Sequence, residues 1–552
     1  MNQDRRDQLA QWAFDTRPIL GRFHLWLEDV ETNYTKNPPT RPTEMSFVGG
    51  QVERMLAMTQ AVTALGTQLF GRFGDGKDLD KAGLNVVKKD ADAISAYAMS
   101  EGLWYLTRHL PENHAIMVSL GEGLMPKAGE TPEMGANPQL GFGRVYARPE
   151  VAHQVDAKVK RLLNDPHYTH EHFRHDLQNR RITVWGAAID TLENTSRFAL
   201  GKDTGPMTVL HLFNQPLQVT RPYEGYTGTL VLPKKVVETA AEESILIDFR
   251  TPRKKVLEAI QKTYGVEPQN VHVWTLGGKS RQTRLGNLWQ SWRDLGVHLV
   301  QDGDPLPSGM PAFTDSGTYA PTYLVGQHGD KVYILDGYAA SAEAMQAASL
   351  GPVLDLEVSL AILTGSFKLP IEEELKHPDR LKDAQEAGLP VSKAILQADD
   401  FFPEKQWDVL ALAGAMGPDP YSGMPGVKKI DKDIYQVTVR LASPKADKRV
   451  TLTLRFIHGE EKSKSIFQPL LNRFLAGEDY QNRAVKISDS GRIRNELQTL
   501  CAEALEFPGG DTMKVFFDRI PPTLIADRDK LKDILNWYRH RHPIWFSWLD
   551  LH

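Results

Sequence analysis

The chain has 552 residues, too many for one compact core, so its length alone implies several structural parts. With 41% hydrophobic and 24% charged residues and a net charge of −5, it has the make-up of an ordinary globular protein and carries no basic footprint for nucleic acid. Its single cysteine, Cys501, excludes an internal disulfide and any cysteine-rich zinc site and fits a reducing cytoplasm.

The opening MNQDRRDQLAQWAF has no apolar signal core, and no run of about 18 uncharged apolar residues occurs, so neither a leader nor a membrane span is expected. Residues 1–80 read as helical, with apolar spacing in QLAQWAF and VERMLAMTQAVTALGTQLF on either side of the loop NPPTRPTEM. The polar GRFGDGKDLDKAG closes that segment. Residues 90–110 carry helical spacing and are followed by the short apolar run AIMVSL, then GEG: helix, strand, turn. An irregular stretch is expected from about 124 to 180. After it, RITVWGAAI reads as a buried strand stopping on Asp190, and MTVLHLF and GTLVLP as further strands.

A βαβ pattern is expected between about 245 and 304. SILIDF is its first strand, Thr251 and Pro252 supply N-cap and N1 for RKKVLEAIQKTY, and Gly265 closes the helix. VHVWTL, the loop GGKSRQTR, the helical LGNLWQSWRDLG and the strand VHLV lead to QDGD. In open α/β sheets ligands gather outside the carboxyl ends of strands, which makes the charged loops here informative. Two alternating strands, IYQVTVRLA and KRVTLTLRFI, follow a charged helical stretch, and residues 459–552 read as a helical extension ending in WYRHRHPIWFSWLDLH.

Acidic residues recur at comparable places: Asp92 at a helix start, Glu122 just after a strand, and Asp190 with Glu193 after another. Each alone reads as a solvated turn carboxylate or a helix cap. Together they are the type of oxygen ligand that hard divalent cations such as Mg²⁺ take.

In chain order, KKDADAISAYAM, AIMVSLGEG and AAIDTLENTSRFALGKDTGPMTVL resemble the class II, bacterial-type fructose-1,6-bisphosphatases of the inositol monophosphatase-like sugar phosphatase superfamily. That family carries an Asp in a K-x-x-A-D-G-A-A helix start, a Glu in IGEGE and the signature D-P-I-E-G-T. GYTGTLVLP resembles its substrate-tyrosine segment, GGKSR with LGVHLVQDGD its KPR…DGD stretch, and DGYAASAEAMQAASL its glycine-rich helix start. The likeness covers about 81–458.

The resemblance implies an α/β fold in α-β-α-β-α layers with helical extensions at both ends. Its parts would be an extension over 1–80, a metal-binding domain over 81–245, a second α/β domain with substrate loops over 246–458, and the extension 459–552. It implies Mg²⁺ or Mn²⁺ held by Asp92, Glu122, Asp190, Glu193 and the Leu192 carbonyl, with Asp92, Glu122 and Thr195 catalytic. The backbone around Asn194 and Thr195 would receive the scissile phosphate. Tyr226, Lys279, Arg281 (or Arg284 after an extra turn), Asp302 and Asp304 would hold the rest of a phosphorylated sugar or polyol. The expected activity is hydrolysis of a sugar phosphate in the cytoplasm.

Departures from the family pattern stand beside this. The last acid of GEGE is Leu124, the glycine of EGT is Asn194, and the glutamate near the glycine-rich helix start aligns with Ala339, for which Asp336 is the candidate substitute. Leu124 and Ala339 favour a rival reading, a non-catalytic phosphatase-like protein that binds a sugar phosphate or a protein partner. A homo-oligomer is compatible with either. HYTHEHFRHD, with His167, His170 and His175 at ligand-like spacing, reads as a solvated loop, and Cys501 as a packed helical residue.

Overall fold

Alternating apolar runs form strands and 3.6-periodic runs form helices in the computed structural model, which describes residues 23–25, 31–32, 51–107, 110–121, 143–218, 225–277, 282–315, 317–364, 395–432 and 434–456. Strands β1 (Phe23–Leu25) and β2 (Glu31–Thr32) precede helices α1 (Gln51–Phe70) and α2 (Lys81–Leu106). Next come β3 (His114–Gly121), β4 (Val145–Ala147), α3 (Pro149–Asn164), α4 (His170–Asn179), β5 (Thr183–Glu193), α5 (Thr195–Ala199) and β6 (Met207–Phe213). The middle of the chain supplies β7 (Gly225–Pro233), α6 (Lys234–Glu242), α7 (Arg253–Tyr264), β8 (Val271–Trp274), α8 (Gln282–Asp294) and β9 (His298–Leu299). It continues with α9 (Tyr319–Thr322), β10 (Gly326–His328), β11 (Lys331–Ala340), α10 (Ser341–Ser349), α11 (Gly351–Leu354) and β12 (Leu356–Thr364). The last described elements are β13 (Ile395–Leu396), β14 (Val409–Ala415), β15 (Val427–Asp431), β16 (Ile434–Ser443) and β17 (Ala446–Phe456).

The chain is therefore α/β, with mixed helices and mixed sheets. Its described residues fall into two compact units. The smaller holds 23–25, 429–432, 434–436 and 452–456; there β1 pairs antiparallel with the end of β17, Phe23 opposite Phe456. The larger holds the remaining described residues and contains two sheets. In one, the strand order is β17-β16-β14-β6-β5-β3-β4, β16 entering it from residue 437 and β17 up to residue 451, with β3 and β5 parallel and β6 antiparallel to β5. In the other it is β13-β12-β7-β11-β8-β9, with β8 parallel to both β11 and β9.

β6 is buried along its whole length and β5 at every position but its first, which suits their near-continuous apolar sequence. Helices α1 and α2 pack on each other, and α1 also packs on β6 and β14. The threonines of α1, Thr59, Thr63 and Thr67, give their hydroxyl protons to carbonyls one turn back, which satisfies polar groups buried on every side. Gly102 lets α2 pass close, since a Cβ there would lie 2.6 Å from Thr59. α10 contacts strands of both sheets, and α6 packs on β7 and β12. Among the described residues, no helix is long and apolar enough to cross a membrane.

Several expectations are corrected. Helix α2 starts at Lys81, because Asp80 caps it by accepting the Gly83 N–H at 2.8 Å; Asp92 is mid-helix rather than at a helix start. The stretch expected to be irregular contains β4, α3 and α4: Pro149 opens α3, and Val155, Val159 and Leu162 recur on its buried face. HYTHEHFRHD is mostly helix α4, with Thr169 and His172 forming a reciprocal capping box. SILIDF is not a strand. Its Phe249 N–H bonds Ser359 Oγ, and Thr251 accepts from Asp248 N, so the segment is a loop, and α7 begins at Arg253 with Pro252 as N-cap. Gly265 does close that helix, at φ 64°. Residues 1–80, expected to be helical, also supply β1 and β2. The extension 459–552, Cys501 within it, lies outside the described residues.

Candidate functional site

Two bulges shape the carboxyl ends of the parallel pair β3 and β5. Register slips by one residue between Val118 and Leu120 of β3, and again between Asp190 and Glu193 of β5, where β6 advances only from Val209 to Met207. A bulge re-aims side chains at a strand end, and here it carries β5 past Asp190, where the strand was expected to stop, as far as Glu193. Asp190 folds back over its bulge: its Oδ1 accepts the Leu192 N–H at 3.1 Å, with only 5% of the residue exposed. Helix α2 is tied to the same bulge by Ser95, whose Oγ lies 2.7 Å from Thr191 Oγ1 and donates to the Asp92 carbonyl.

Those contacts place Asp92 opposite the first residue of α5. Thr195 Oγ1 lies 3.1 Å from Asp92 Oδ1 and 2.9 Å from the Leu192 carbonyl oxygen. One hydroxyl proton faces two acceptors there, which makes an oxygen-rich point suited to a water or a hard cation. Asn194, between Leu192 and this helix, adopts the left-handed conformation at φ 66°, ψ 40°. That conformation is what a glycine would give freely, and asparagine is among the few other residues to tolerate it. Its side chain does not crowd the turn, because Nδ2 is tied to the Gly205 carbonyl at 2.8 Å. The short α5 is held at its other end by Gly74 N and Gly76 N, which donate to the Phe198 and Ala199 carbonyls.

A second acidic point lies beside the first. A Cβ on Gly317 would collide with Oε1 of Glu343 and would come within 2.6 Å of Oε1 of Glu193, so these two carboxylates flank one glycine. Both residues are buried. Glu343 Oε1 accepts the Thr318 N–H, the Thr318 hydroxyl at 3.1 Å and the Tyr319 N–H at 3.0 Å. Burial and the neighbouring Tyr323 push the Tyr319 hydroxyl well above its ordinary pKa, and the Glu193 charge adds to this.

The structure thus joins Asp92, Thr195 and the Leu192 carbonyl through one hydroxyl, with Asp190 on the Leu192 N–H, while the Glu193 carboxylate lies by Gly317 and Glu343. Glu122 lies outside the described residues; Gly121, just before it, pairs with Ile189, just before Asp190. Leu124, Lys279 and Arg281 also lie outside them. Tyr226 stands on β7 opposite Ala340 and Leu363, and Arg284 is on α8. Asp302 and Asp304 form their own turn. Asp302 Oδ1 accepts from Thr314 N and Oγ1 at 2.7 and 2.8 Å, and Asp304 Oδ2 meets His298 Nε2 at 2.6 Å and Gln301 N at 2.9 Å. That turn leads toward the acids, since Asp315, after Thr314, pairs with Arg197 of α5 at 2.6 Å.

Asp336 is no substitute acid for Ala339. It is fully buried, with both oxygens bonded to Arg253 and one also to Trp292 Nε1. Glu343, by contrast, was missed. Its signal is legible in SAEAMQAAS, where Glu343, Gln346 and Ser349 form a polar stripe three residues apart on a helix that after Ser341 is otherwise alanine and methionine.

No protein-family model matches the chain, and no curated protein matches it. Among the described residues no three of His, Cys, Asp and Glu are arranged to hold a metal ion. Around Thr195 the donors are all oxygen, the kind Mg²⁺ and Mn²⁺ prefer to softer ligands. The histidines of α4 serve locally: His172 Nδ1 meets Thr169, His175 Nδ1 meets Asn179, and burial lowers the His170 pKa to about 4.

Proposed function

We propose that the chain is a phosphoric monoester hydrolase dependent on Mg²⁺ or Mn²⁺ and acting on a phosphorylated sugar or polyol, with fructose 1,6-bisphosphate the first substrate to test. The observation that carries this reading is the oxygen point at Thr195, facing Asp92 Oδ1 and the Leu192 carbonyl at the bulged end of β5. The likeness to class II fructose-1,6-bisphosphatases belongs to the same proposal. So do a cytoplasmic location and α-β-α-β-α layering, which the contacts of α1, α10 and α6 with the two sheets support.

Asp92, Asp190, Glu193, the Leu192 carbonyl and Glu122 are the groups that would hold the cation. When bound, it neutralises phosphate charge and makes water more acidic. Thr195 Oγ1 would orient the attacking water, whose oxygen bonds phosphorus as the bond from phosphorus to the sugar oxygen breaks, one proton of the water passing to that sugar oxygen. The backbone around Asn194 and Thr195, where Asn194 turns left-handed, would receive the phosphate. The test is phosphate release from a panel of sugar phosphates with and without Mg²⁺ or Mn²⁺.

A second reading has a specific observation behind it. Ala339 is apolar and Asp336 is engaged by Arg253 and Trp292, which favours a phosphatase-like chain that binds a sugar phosphate without turnover. Tight binding with no release from any member of the panel would select it.

A further inference from the structure

We infer that His211 is a positioning residue for the Glu193–Glu343 pair, acting through Tyr319 to hold the turn whose donors fix Glu343. The inference rests on the cation-dependent reading of this site. It starts from the polar stripe of α10, where Glu343, Gln346 and Ser349 are all buried on one helix face. Buried polar groups of this kind require partners. Gln346 Nε2 donates to the Ala188 carbonyl of β5 at 3.0 Å, and Ser349 Oγ donates to the Gln346 carbonyl at 2.9 Å.

Ser349 has one proton, and that bond uses it. Its oxygen must then accept from His211 Nδ1, 2.6 Å away. The ring proton therefore sits on Nδ1, leaving Nε2 as an acceptor for the Tyr319 hydroxyl at 2.9 Å. The Tyr319 oxygen in turn accepts from the Tyr323 hydroxyl at 2.9 Å. Behind Tyr323 stands Arg440, 4.2 Å from its ring centre and paired with Asp447. Burial takes the His211 pKa down to about 3, so the ring is neutral and the chain keeps one direction at ordinary pH.

Tyr319 is thus gripped at both ends, its hydroxyl by His211 and its N–H by Glu343. Gly317, two residues earlier, has no room for a side chain between the two carboxylates. A shift of the histidine ring moves Tyr319, and with it the donors that hold Glu343 beside Glu193.

The test compares full-length H211Q, H211N and Y319F with the parent for Mn²⁺ affinity and for amide hydrogen exchange at Thr318 and Tyr319. Glutamine places Oε1 where Nε2 stands and keeps accepting from Tyr319; asparagine reaches only the Nδ1 side. The expected result is an H211Q protein close to the parent in both measurements. H211N and Y319F should bind Mn²⁺ about tenfold more weakly and lose amide protection. A merely structural histidine would make H211Q and H211N fail alike, and equal losses in the two overturn the inference, as does an unchanged Y319F. A parent chain with no saturable Mn²⁺ binding would instead sink the cation-dependent reading. The exchange contrast then decides alone: protection kept in H211Q and lost in H211N sustains the positioning role, and equal protection in the two rejects it.

Discussion

Two parallel strand pairs have acids at or just beyond their carboxyl ends, β3–β5 in the first sheet and β8–β9 in the second, and the protein treats their charges differently. At β8–β9, Asp302 and Asp304 are absorbed by their own turn, bonded to Thr314, Gln301 and His298. Such carboxylates stabilise a loop and need no further partner. At β3–β5 the acids are drawn from separate elements: the half-buried Asp92 from α2, and the buried Asp190 and Glu193 from a bulge and Glu343 from α10. Burying carboxylates side by side, as Glu193 and Glu343 are around Gly317, is costly, and in the proposed function a cation would offset it. Where an acid's bonds come from therefore tells more about its role than its position in the sheet.

The sharpest way to break this comparison is Asp190→Asn. With Mg²⁺ or Mn²⁺ present, phosphate release should fall by about 10³-fold while the unfolding midpoint moves little. Retained release would remove Asp190 from the site. Asp336→Ala is the contrasting case, a buried acid that already has its partners. Because it strips Arg253 of a buried counter-charge, it should cost about 3 kcal/mol in denaturant unfolding. Gly317→Ala comes next. Its methyl must displace the Glu193 and Glu343 oxygens, so about 2 kcal/mol of stability should be lost and Mn²⁺ binding should weaken in the same protein.

Much of the fold was legible because β5, β6 and α7 carry strong local signals: β-branched apolar runs for the strands, and a helix closed by Gly265. SILIDF carried a similar apolar signal, yet it is a loop, since Phe249 N bonds the side chain of Ser359 on β12 instead of a strand's backbone carbonyl. α3 and α4 were hidden by a high density of charge and histidine, although Pro149 and Thr169 announce their starts. At the candidate site, Asp190 and Glu193 stood out as acids following a strand and the family resemblance added Thr195; one strand and turn supply all three. Glu343 escaped because its relation to Glu193 exists only once α10 is laid against β5, and no local pattern encodes that docking.

The smallest expected effect tests the other side of the comparison. The Asp304 carboxyl is held below its ordinary pKa: partial burial opposes this, and the Gln301 N–H and His298 outweigh it. A carboxylate whose pKa is depressed by folding contributes stability above its unfolded pKa of about 4 and loses it as pH falls through the lower folded value. Both Asp304 and His298 are substantially exposed, so solvent screens the pair and Asp304→Asn should cost under about 1 kcal/mol at neutral pH. The difference between parent and variant in urea unfolding should shrink as the pH is lowered below about 4, and added salt should reduce it at neutral pH. A loss as large as that of Asp336→Ala would mean that this turn is also a place where charge is concentrated at a cost, and the contrast between the two strand pairs would fail.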